Sequence, residues 1–125
     1  MDFAGKAVVI TGASSGIGLE TALAFSKMNA RIALVARDKE KLAQAEKQCV
    51  AAGASKTIAI ICDVGNYSQV KKACSHIKKE FGKIDLLVNN AGYGRYGTFR
   101  DAKLGDIEGV MKANYFGTVY FTKEL

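Results

Sequence analysis

A glycine-rich segment, TGASSGIG at residues 11–18, directly follows the apolar residues AVVI. Between a strand and a helix, such a segment suits phosphate, because glycine lets the backbone turn tightly and approach an anion. Gly12 permits the tight turn, Gly16 lets the backbone approach a pyrophosphate, and Gly18 leaves no side chain between helix and sheet. The candidate phosphate-binding residues are Gly12, Ser14, Ser15, Gly16, Ile17 and Gly18. The alternative is a turn whose glycines are purely conformational.

The end of the apolar segment 31–36 bears on which dinucleotide such a site would take. An NAD site is expected to carry an acid there for the ribose 2′-hydroxyl, whereas arginine suits a 2′-phosphate. Ala36 occupies the place of the acid, and Arg37 offers a planar, permanently charged group. Asp38 is interpreted as the N-cap of the next helix. The pattern predicts NADP(H) rather than NAD(H), with an ordinary surface arginine as the alternative.

One amide stands out near the end of the chain. Asn114 falls on a stripe of apolar character at helical spacing, formed by Ile107, Met111, Thr118 and Phe121. A buried amide must find hydrogen-bond partners or cost about 1–3 kcal/mol. Asn114 is therefore either a satisfied core amide or a functional group directed at a site.

Regular alternation of apolar and amphipathic segments must position these residues. The apolar runs, which predict buried strands, lie at residues 6–11, 31–36, 56–62 and 84–89. The stretches between them have helical periodicity with charges on the opposite side. This rhythm predicts one α/β domain over residues 1–125, with a Rossmann-type doubly wound parallel sheet of about four strands and four helices.

The net charge of +6 does not by itself indicate a nucleic-acid partner. The densest basic pairs, Lys71-Lys72 and Lys78-Lys79, fall on the outer face of one predicted helix, and no basic run is longer than two. A solvated helix face is the usual meaning of that pattern. We expect no nucleic-acid partner.

Cysteine and histidine usage gives no sign of a metal site or a disulfide framework. Cys49, Cys62 and Cys74 are odd in number and widely spaced, and His76 is the only histidine. We expect no bound metal and reduced thiols in the cytoplasm. The first residues, MDFAGKAVVITG, have neither the basic start of a signal peptide nor an apolar stretch long enough for a membrane span. No membrane association is predicted.

Four motifs in chain order resemble those of the short-chain dehydrogenase/reductase family, over residues of about 4–125. The first is T-G-x-x-x-G-x-G at 11–18. The others are Asp63-Val64 after the third strand, Asn89-Asn90-Ala91-Gly92 after the fourth, and Asn114 within KANYFGT. The resemblance implies that Asp63 lies against the adenine and that the N-N-A-G segment supports the sheet and borders the cofactor. It implies for Asn114 an active-site role, bending its helix and holding a water in a proton relay.

A hydride transfer between nicotinamide and a carbonyl also needs a proton donor of suitable pKa. In the family this is a tyrosine with a lysine four residues later, preceded by a serine, and all three follow the asparagine. The only Y-x-x-x-K here, Tyr67 and Lys71, precedes Asn114 and opens the third helix, so we reject it as the catalytic pair. The run 84–89 also looks like a central strand, yet no later strand follows to pair with it. We expect the chain to stop before the family's catalytic segment.

The predicted function is that of an NADP-dependent oxidoreductase acting on a small carbonyl or alcohol substrate, with the cofactor-binding half in these 125 residues and no activity from them alone. The alternative is a non-catalytic nucleotide-binding or partner-dependent module. Residues 93–100, YGRYGTFR, form either an aromatic wall of the substrate mouth or a surface turn. By resemblance, the full enzyme is expected to be a homo-oligomer.

Overall fold

The computed structural model describes residues 1–125, in which strands and helices alternate. The elements in chain order are β1 (Ala7–Thr11), α1 (Gly16–Lys27), β2 (Arg31–Ala36), α2 (Lys39–Ala52), β3 (Lys56–Ile61), α3 (Tyr67–Phe81), β4 (Leu86–Val88), a 3₁₀ turn (Phe99–Asp101), α4 (Leu104–Met111), a π-helical turn (Lys112–Phe116) and α5 (Gly117–Glu124). Because α4 and α5 continue through the π-helical turn, they form one interrupted helix. The four strands and four helices match the sequence prediction.

All four strands are parallel and form one sheet in the order β3-β2-β1-β4. Alternate residues of the strands point to opposite faces, and each face carries its own apolar core. Val9 packs with Phe121 of α5 on one face, where α3 also contributes. Ile10 packs on the other face, where α1 and Leu42 of α2 lie. The predicted doubly wound, Rossmann-like α/β fold is thus confirmed.

The third strand is less buried than its sequence predicts. None of the residues Lys56–Ile61 is fully buried, three of them are exposed, and Ile61 is 56% exposed. The physical reason is position, because β3 is an edge strand that pairs with β2 on one side only. Its first residue is exposed and pairs through Lys56 Nζ with a Glu80 carboxylate oxygen at 3.0 Å. An apolar run alone could not distinguish an edge strand from a central one.

The predicted apolar stripe along the last helix does not form a continuous buried face. Phe121 is fully buried, but Met111 is 48% exposed and Thr118 is exposed. The π-helical turn Lys112–Phe116 separates Met111 on α4 from Phe121 on α5, and its wider turn rotates α5 relative to α4. Residues spaced for a regular α-helix of about 3.6 residues per turn therefore do not share one face on the two sides of the π-helical turn.

A carboxylate beside β1 makes the fold sensitive to acid. Asp85 Oδ2 accepts a hydrogen bond from the Ala7 N–H at 2.9 Å, and this bond is the main cause that lowers the pKa of Asp85. A carboxylate whose pKa is lower in the folded than in the unfolded chain stabilises the fold at pH values above its unfolded pKa. This contribution is lost as the pH falls through the folded-state pKa.

We therefore expect Asp85→Ala to lower the free energy of unfolding at neutral pH and to reduce the loss of stability between about pH 5 and pH 2. Urea unfolding across that range measures both effects. Asp85→Asn, which keeps an oxygen acceptor without the charge, is the control and should fall between the two proteins at neutral pH. An equally steep acid loss in Asp85→Ala would contradict the assignment.

Candidate functional site

A cleft of about 900 Å³ lies at the edge of the sheet where the parallel strands end. It is the position at which open α/β sheets place their ligands. Most of the predicted site residues line it, namely Gly12, Ser14, Ser15, Ile17, Arg37, Asp63, Val64, Asn90, Ala91 and Gly92. Gly18 and Asn114 do not line it but contact lining residues, and Gly16 is exposed between the lining residues Ser15 and Ile17.

Two glycines of the glycine-rich segment are required by close packing. A Cβ atom on Gly12, which has a φ of 66°, would lie 2.8 Å from Asn90 Nδ2. A Cβ atom on Gly18 would overlap the Gly12 carbonyl oxygen and lie 2.5 Å from the same amide nitrogen. Gly16 differs from both, because its surroundings are open. The first helix can therefore approach the end of β1 only with glycine at Gly12 and Gly18.

The floor of the cleft joins the ends of β1 and β4 through two side chains. The buried Thr11 hydroxyl oxygen accepts hydrogen bonds from the N–H groups of Asn90 and Ala91, both at 3.0 Å. Asn90 Nδ2 in turn donates to the carbonyl oxygens of Thr11 at 3.1 Å and Gly12 at 3.2 Å. Asn90 thus holds the glycine turn in place. The supporting role of Thr11 was not predicted, although it opens the motif.

The start of α1 offers unpaired backbone donors to the cleft. The helix begins at Gly16, its N-cap Ser15 makes no side-chain capping bond, and the first turn contains no acidic residue. The first N–H groups of such a helix lack partners and carry partial positive charge. With the Ser14 and Ser15 hydroxyls at the cleft wall, this end suits a phosphate group.

The end of β2 gives one side of the cleft a positive charge. Ala36 is nearly buried, and no acid stands in its place. Arg37 is exposed and takes part in no ion pair, and Lys41 lines the same wall. Asp38 caps α2 as predicted, because its Oδ1 accepts from the Lys41 N–H at 3.0 Å. Sequence reasoning missed Lys41, although its spacing of four from Arg37 was a usable signal.

The loop after β3 contributes a carboxylate and an inert thiol. Asp63 Oδ1 accepts a hydrogen bond from the Gly65 N–H at 2.9 Å, and Val64 packs against Gly117. Burial raises the pKa of the neighbouring Cys62 thiol to about 12. Because a nucleophilic cysteine needs a lowered pKa, Cys62 forms part of the cleft wall rather than a reactive group.

Asn114 lies in the π-helical turn and binds the backbone of the loop after β4. Its Oδ1 accepts from the Tyr93 N–H at 2.9 Å, and its Nδ2 donates to the Tyr93 carbonyl oxygen at 2.8 Å. Both ends of the amide are thus satisfied, although the residue is exposed rather than in the core. A Cβ atom on Gly92 would lie 2.8 Å from Asn114 Oδ1. A role in holding a water stays a prediction.

The single Tyr-x-x-x-Lys pair, Tyr67 and Lys71, lies outside the cleft. The Tyr67 hydroxyl donates to Glu124 Oε1 at 2.6 Å, and this bond is the main cause that raises the pKa of Tyr67. Lys71 Nζ lies 5.7 Å from the centre of the Tyr67 ring. Neither residue lines the cleft. The pKa of Tyr67 moves away from the value that a proton donor near neutral pH needs.

The structure brings no group of three histidine, cysteine, aspartate or glutamate side chains together as a metal site. None of the helices combines the length and apolar character that crossing a membrane requires. Besides Lys41, the cleft lining includes Gly109 and Lys112, which the sequence did not single out. Of the segment 93–100, Tyr93 lines the cleft, whereas residues 94–100 are exposed and do not line it.

Comparison with known proteins gives consistent matches along the chain. Residues 6–125 match the family model described as short chain dehydrogenase. The chain is 40% identical over 119 residues to 11-beta-hydroxysteroid dehydrogenase-like 2 of Arabidopsis thaliana, covering 94% of this chain and 39% of that protein.

Two solved structures have the same fold over this region. NAD⁺-bound xylitol dehydrogenase superposes with a TM-score of 0.93 at 34% identity, over 99% of this chain and 48% of that chain. L-sorbose reductase of Gluconobacter frateurii, complexed with NADPH and L-sorbose, gives a TM-score of 0.93 at 34% identity, over 100% and 48%. The chain thus spans less than half the length of these proteins.

Proposed function

Since the chain belongs to the short-chain dehydrogenase family, we propose that it is the cofactor-binding part of an oxidoreductase that transfers a hydride between NADP(H) and a carbonyl or alcohol substrate. The observation that carries this proposal is the close approach of α1 to β1 at Gly12 and Gly18, which leaves unpaired N–H groups at the cleft. Free N–H groups at the start of a helix are the ligands that a pyrophosphate needs, so we favour a pyrophosphate site over a turn whose glycines are purely conformational.

The residues of the cleft fit a dinucleotide at its pyrophosphate and at its adenine. The segment 12–18 would hold the pyrophosphate through backbone N–H groups and serine hydroxyls. Asp63 and Val64 would border the adenine, and Asn90 would keep the glycine turn rigid. A bound nicotinamide would donate or accept the hydride, and the role of these residues is to bind and orient the cofactor. Rigid positioning of this kind lowers the entropic cost of reaching a reactive geometry.

The preference for NADP(H) over NAD(H) rests on this chain's own residues, because the two solved relatives are described with different cofactors, NAD⁺ in one and NADPH in the other. Support comes from Ala36 in place of an acid and from Arg37 and Lys41 beside it. Arg37 has no carboxylate partner, so its charge is available to a 2′-phosphate. The carboxylate next to Arg37, that of Asp38, caps α2.

The substrate is proposed only as a class. The relatives are named for a hydroxysteroid, a polyol and a ketose, which share a carbonyl or alcohol group. We propose that a proton donor from outside these 125 residues completes the site, because the only Tyr-x-x-x-Lys pair lies away from the cleft. That same observation favours a second candidate, a nucleotide-binding module without catalysis.

We also propose a homo-oligomeric, cytoplasmic enzyme. Exposed apolar side chains on the π-helical turn and α5, namely Tyr115, Phe116 and Val119, offer a surface for a second subunit. The three cysteines are unpaired, as thiols of a reducing compartment are.

The proposal predicts NADPH-dependent reduction of at least one carbonyl by the intact protein, with Tyr67→Phe within about twofold of wild type. The reason is that Tyr67 binds Glu124 outside the cleft. The 125-residue chain alone should give no turnover above background. NADPH absorbance against a panel of ketones, including ketosteroids and ketoses, measures all three.

Turnover by the 125-residue chain that disappears in Tyr67→Phe would overturn the exclusion of Tyr67. NADPH binding by the intact protein without turnover on any ketone of the panel would favour the non-catalytic module instead.

A further inference from the structure

The side chain of Tyr93 connects the arginine at the end of β2 with the interrupted helix on the other side of the cleft. Arg37 Cζ lies 6.0 Å from the centre of the Tyr93 ring, within the range of a cation–π contact. Arg37 is exposed and forms no ion pair, so this ring is the contact that limits where its guanidinium lies. We propose that Tyr93 is a positioning residue for Arg37 and thereby raises selectivity for NADPH over NADH. The inference rests on the proposed preference for NADP(H).

The backbone of Tyr93 is fixed from the helix side. Asn114 bonds both its N–H and its carbonyl oxygen, at 2.9 Å and 2.8 Å. Two opposed hydrogen bonds from one amide fix the position and direction of the peptide, as a single bond would not. The backbone at Tyr93 therefore follows the π-helical turn, not the exposed loop 94–98 that comes after it.

The side chain of Tyr93 is restricted at its hydroxyl by Gly109 and at its ring by Arg95. A Cβ atom on Gly109 of α4 would lie 2.6 Å from the Tyr93 hydroxyl oxygen, so glycine at that position makes the space for the ring. Arg95 Cζ lies 5.9 Å from the ring centre, and Arg95 Nη2 pairs with Asp106 Oδ1 of α4 at 3.4 Å. Helix α4 thus fixes the ring directly at Gly109 and indirectly through Asp106.

The charges around the ring differ in a way that matters for the cleft. Arg95 has a carboxylate partner in Asp106, whereas Arg37 has none. The ring faces Arg37 without neutralising it, because a cation–π contact leaves the N–H groups of the guanidinium unpaired. An arginine already restricted in this way loses less rotational freedom when it binds a phosphate. The benefit applies to NADPH, since NADH has no 2′-phosphate.

The test compares dissociation constants of NADPH and NADH for the intact protein by titration calorimetry. Tyr93→Ala should reduce the NADPH-over-NADH selectivity about three- to tenfold, and Tyr93→Phe, which keeps the ring, should retain it. In the Arg37→Ala background, Tyr93→Ala should cause no further loss of selectivity. Gly109→Ala, which displaces the ring without removing it, should act like Tyr93→Ala, and Gly105→Ala on the same helix, with open surroundings, should act like wild type.

Three results would overturn the inference. They are an equal loss of affinity for NADPH and NADH in Tyr93→Ala, a further loss of selectivity in the Arg37→Ala background, and unchanged selectivity in both Tyr93→Ala and Gly109→Ala. If Tyr93→Ala does not fold, Gly109→Ala decides the matter. If Arg37→Ala loses selectivity for NADPH but Tyr93→Ala and Gly109→Ala do not, only the role of Tyr93 is refuted. If Arg37→Ala keeps its selectivity, the role proposed for Arg37 in the NADP(H) preference is refuted as well.

Discussion

Gly18→Ala is expected to weaken NADPH binding by the intact protein about a hundredfold, the largest effect of any single substitution in or behind the cleft. The added Cβ would overlap the Gly12 carbonyl oxygen and approach Asn90 Nδ2 to 2.5 Å. The carbonyl is backbone and cannot rotate away, so α1 must move off the end of β1. That movement separates the N–H groups of the helix from the serine hydroxyls that we propose bind the same phosphate. Calorimetric titration with NADPH, together with urea unfolding, measures the loss of binding and the accompanying loss of stability.

Two matched glycine variants separate this clash from general effects of adding a methyl group. Gly105→Ala, at an open position of α4, should bind NADPH as wild type does. Gly16→Ala adds a methyl group in open space at a φ of 55°, so it should lower the free energy of unfolding by about 1–2 kcal/mol without moving α1 away from β1. Any loss of NADPH affinity in Gly16→Ala then reports on the approach of the backbone to the pyrophosphate, not on the contact between α1 and β1. Wild-type affinity in Gly18→Ala would mean that the contact between α1 and β1 does not shape the phosphate site.

Arg37→Ala is expected to reduce the selectivity for NADPH over NADH about 10- to 100-fold, while NADH affinity stays nearly constant. A hydrogen bond to a charged group contributes about 1.5–3 kcal/mol, and this one is available only to the cofactor with a 2′-phosphate. Arg37→Lys should give an intermediate ratio, because lysine keeps the charge but not the planar pair of donors. Dissociation constants for both cofactors measure the effect.

Lys39→Ala is the matched control for Arg37→Ala, since Lys39 begins α2 two residues away but does not line the cleft. Its selectivity should equal that of wild type. If Arg37→Ala has the same ratio as Lys39→Ala, Arg37 is an ordinary surface residue and the NADP(H) preference lies elsewhere.

The fold was predictable because its determinants are local in the sequence. The strand β1 is buried along its whole length and β2 at every residue after Arg31, so composition and burial agree. The glycine-rich segment was also informative, because the spacing of Gly12 and Gly18 reflects a packing requirement that the structure makes explicit. The capping role of Asp38 likewise depends on residues only three apart.

What the sequence did not predict depends on position in space. The exposure of β3 follows from its place at the sheet edge, which its apolar residues do not reveal. The π-helical turn at Lys112–Phe116 breaks the spacing of 3.6 that the apolar stripe assumed, so Met111 on α4 and Phe121 on α5 do not share one buried face. The contact between Tyr93 and Arg37 joins the loop after β4 to the end of β2, and only the folded chain brings these two residues together.

The central claim, that this cleft binds NADP(H), is tested most directly by titrating the intact protein with NADPH and with NADH under the same ionic conditions. We expect saturable binding of NADPH with an affinity at least about tenfold higher than that of NADH, corresponding to about 1.4 kcal/mol. Equal affinities, tighter binding of NADH, or no binding of either cofactor would contradict the account.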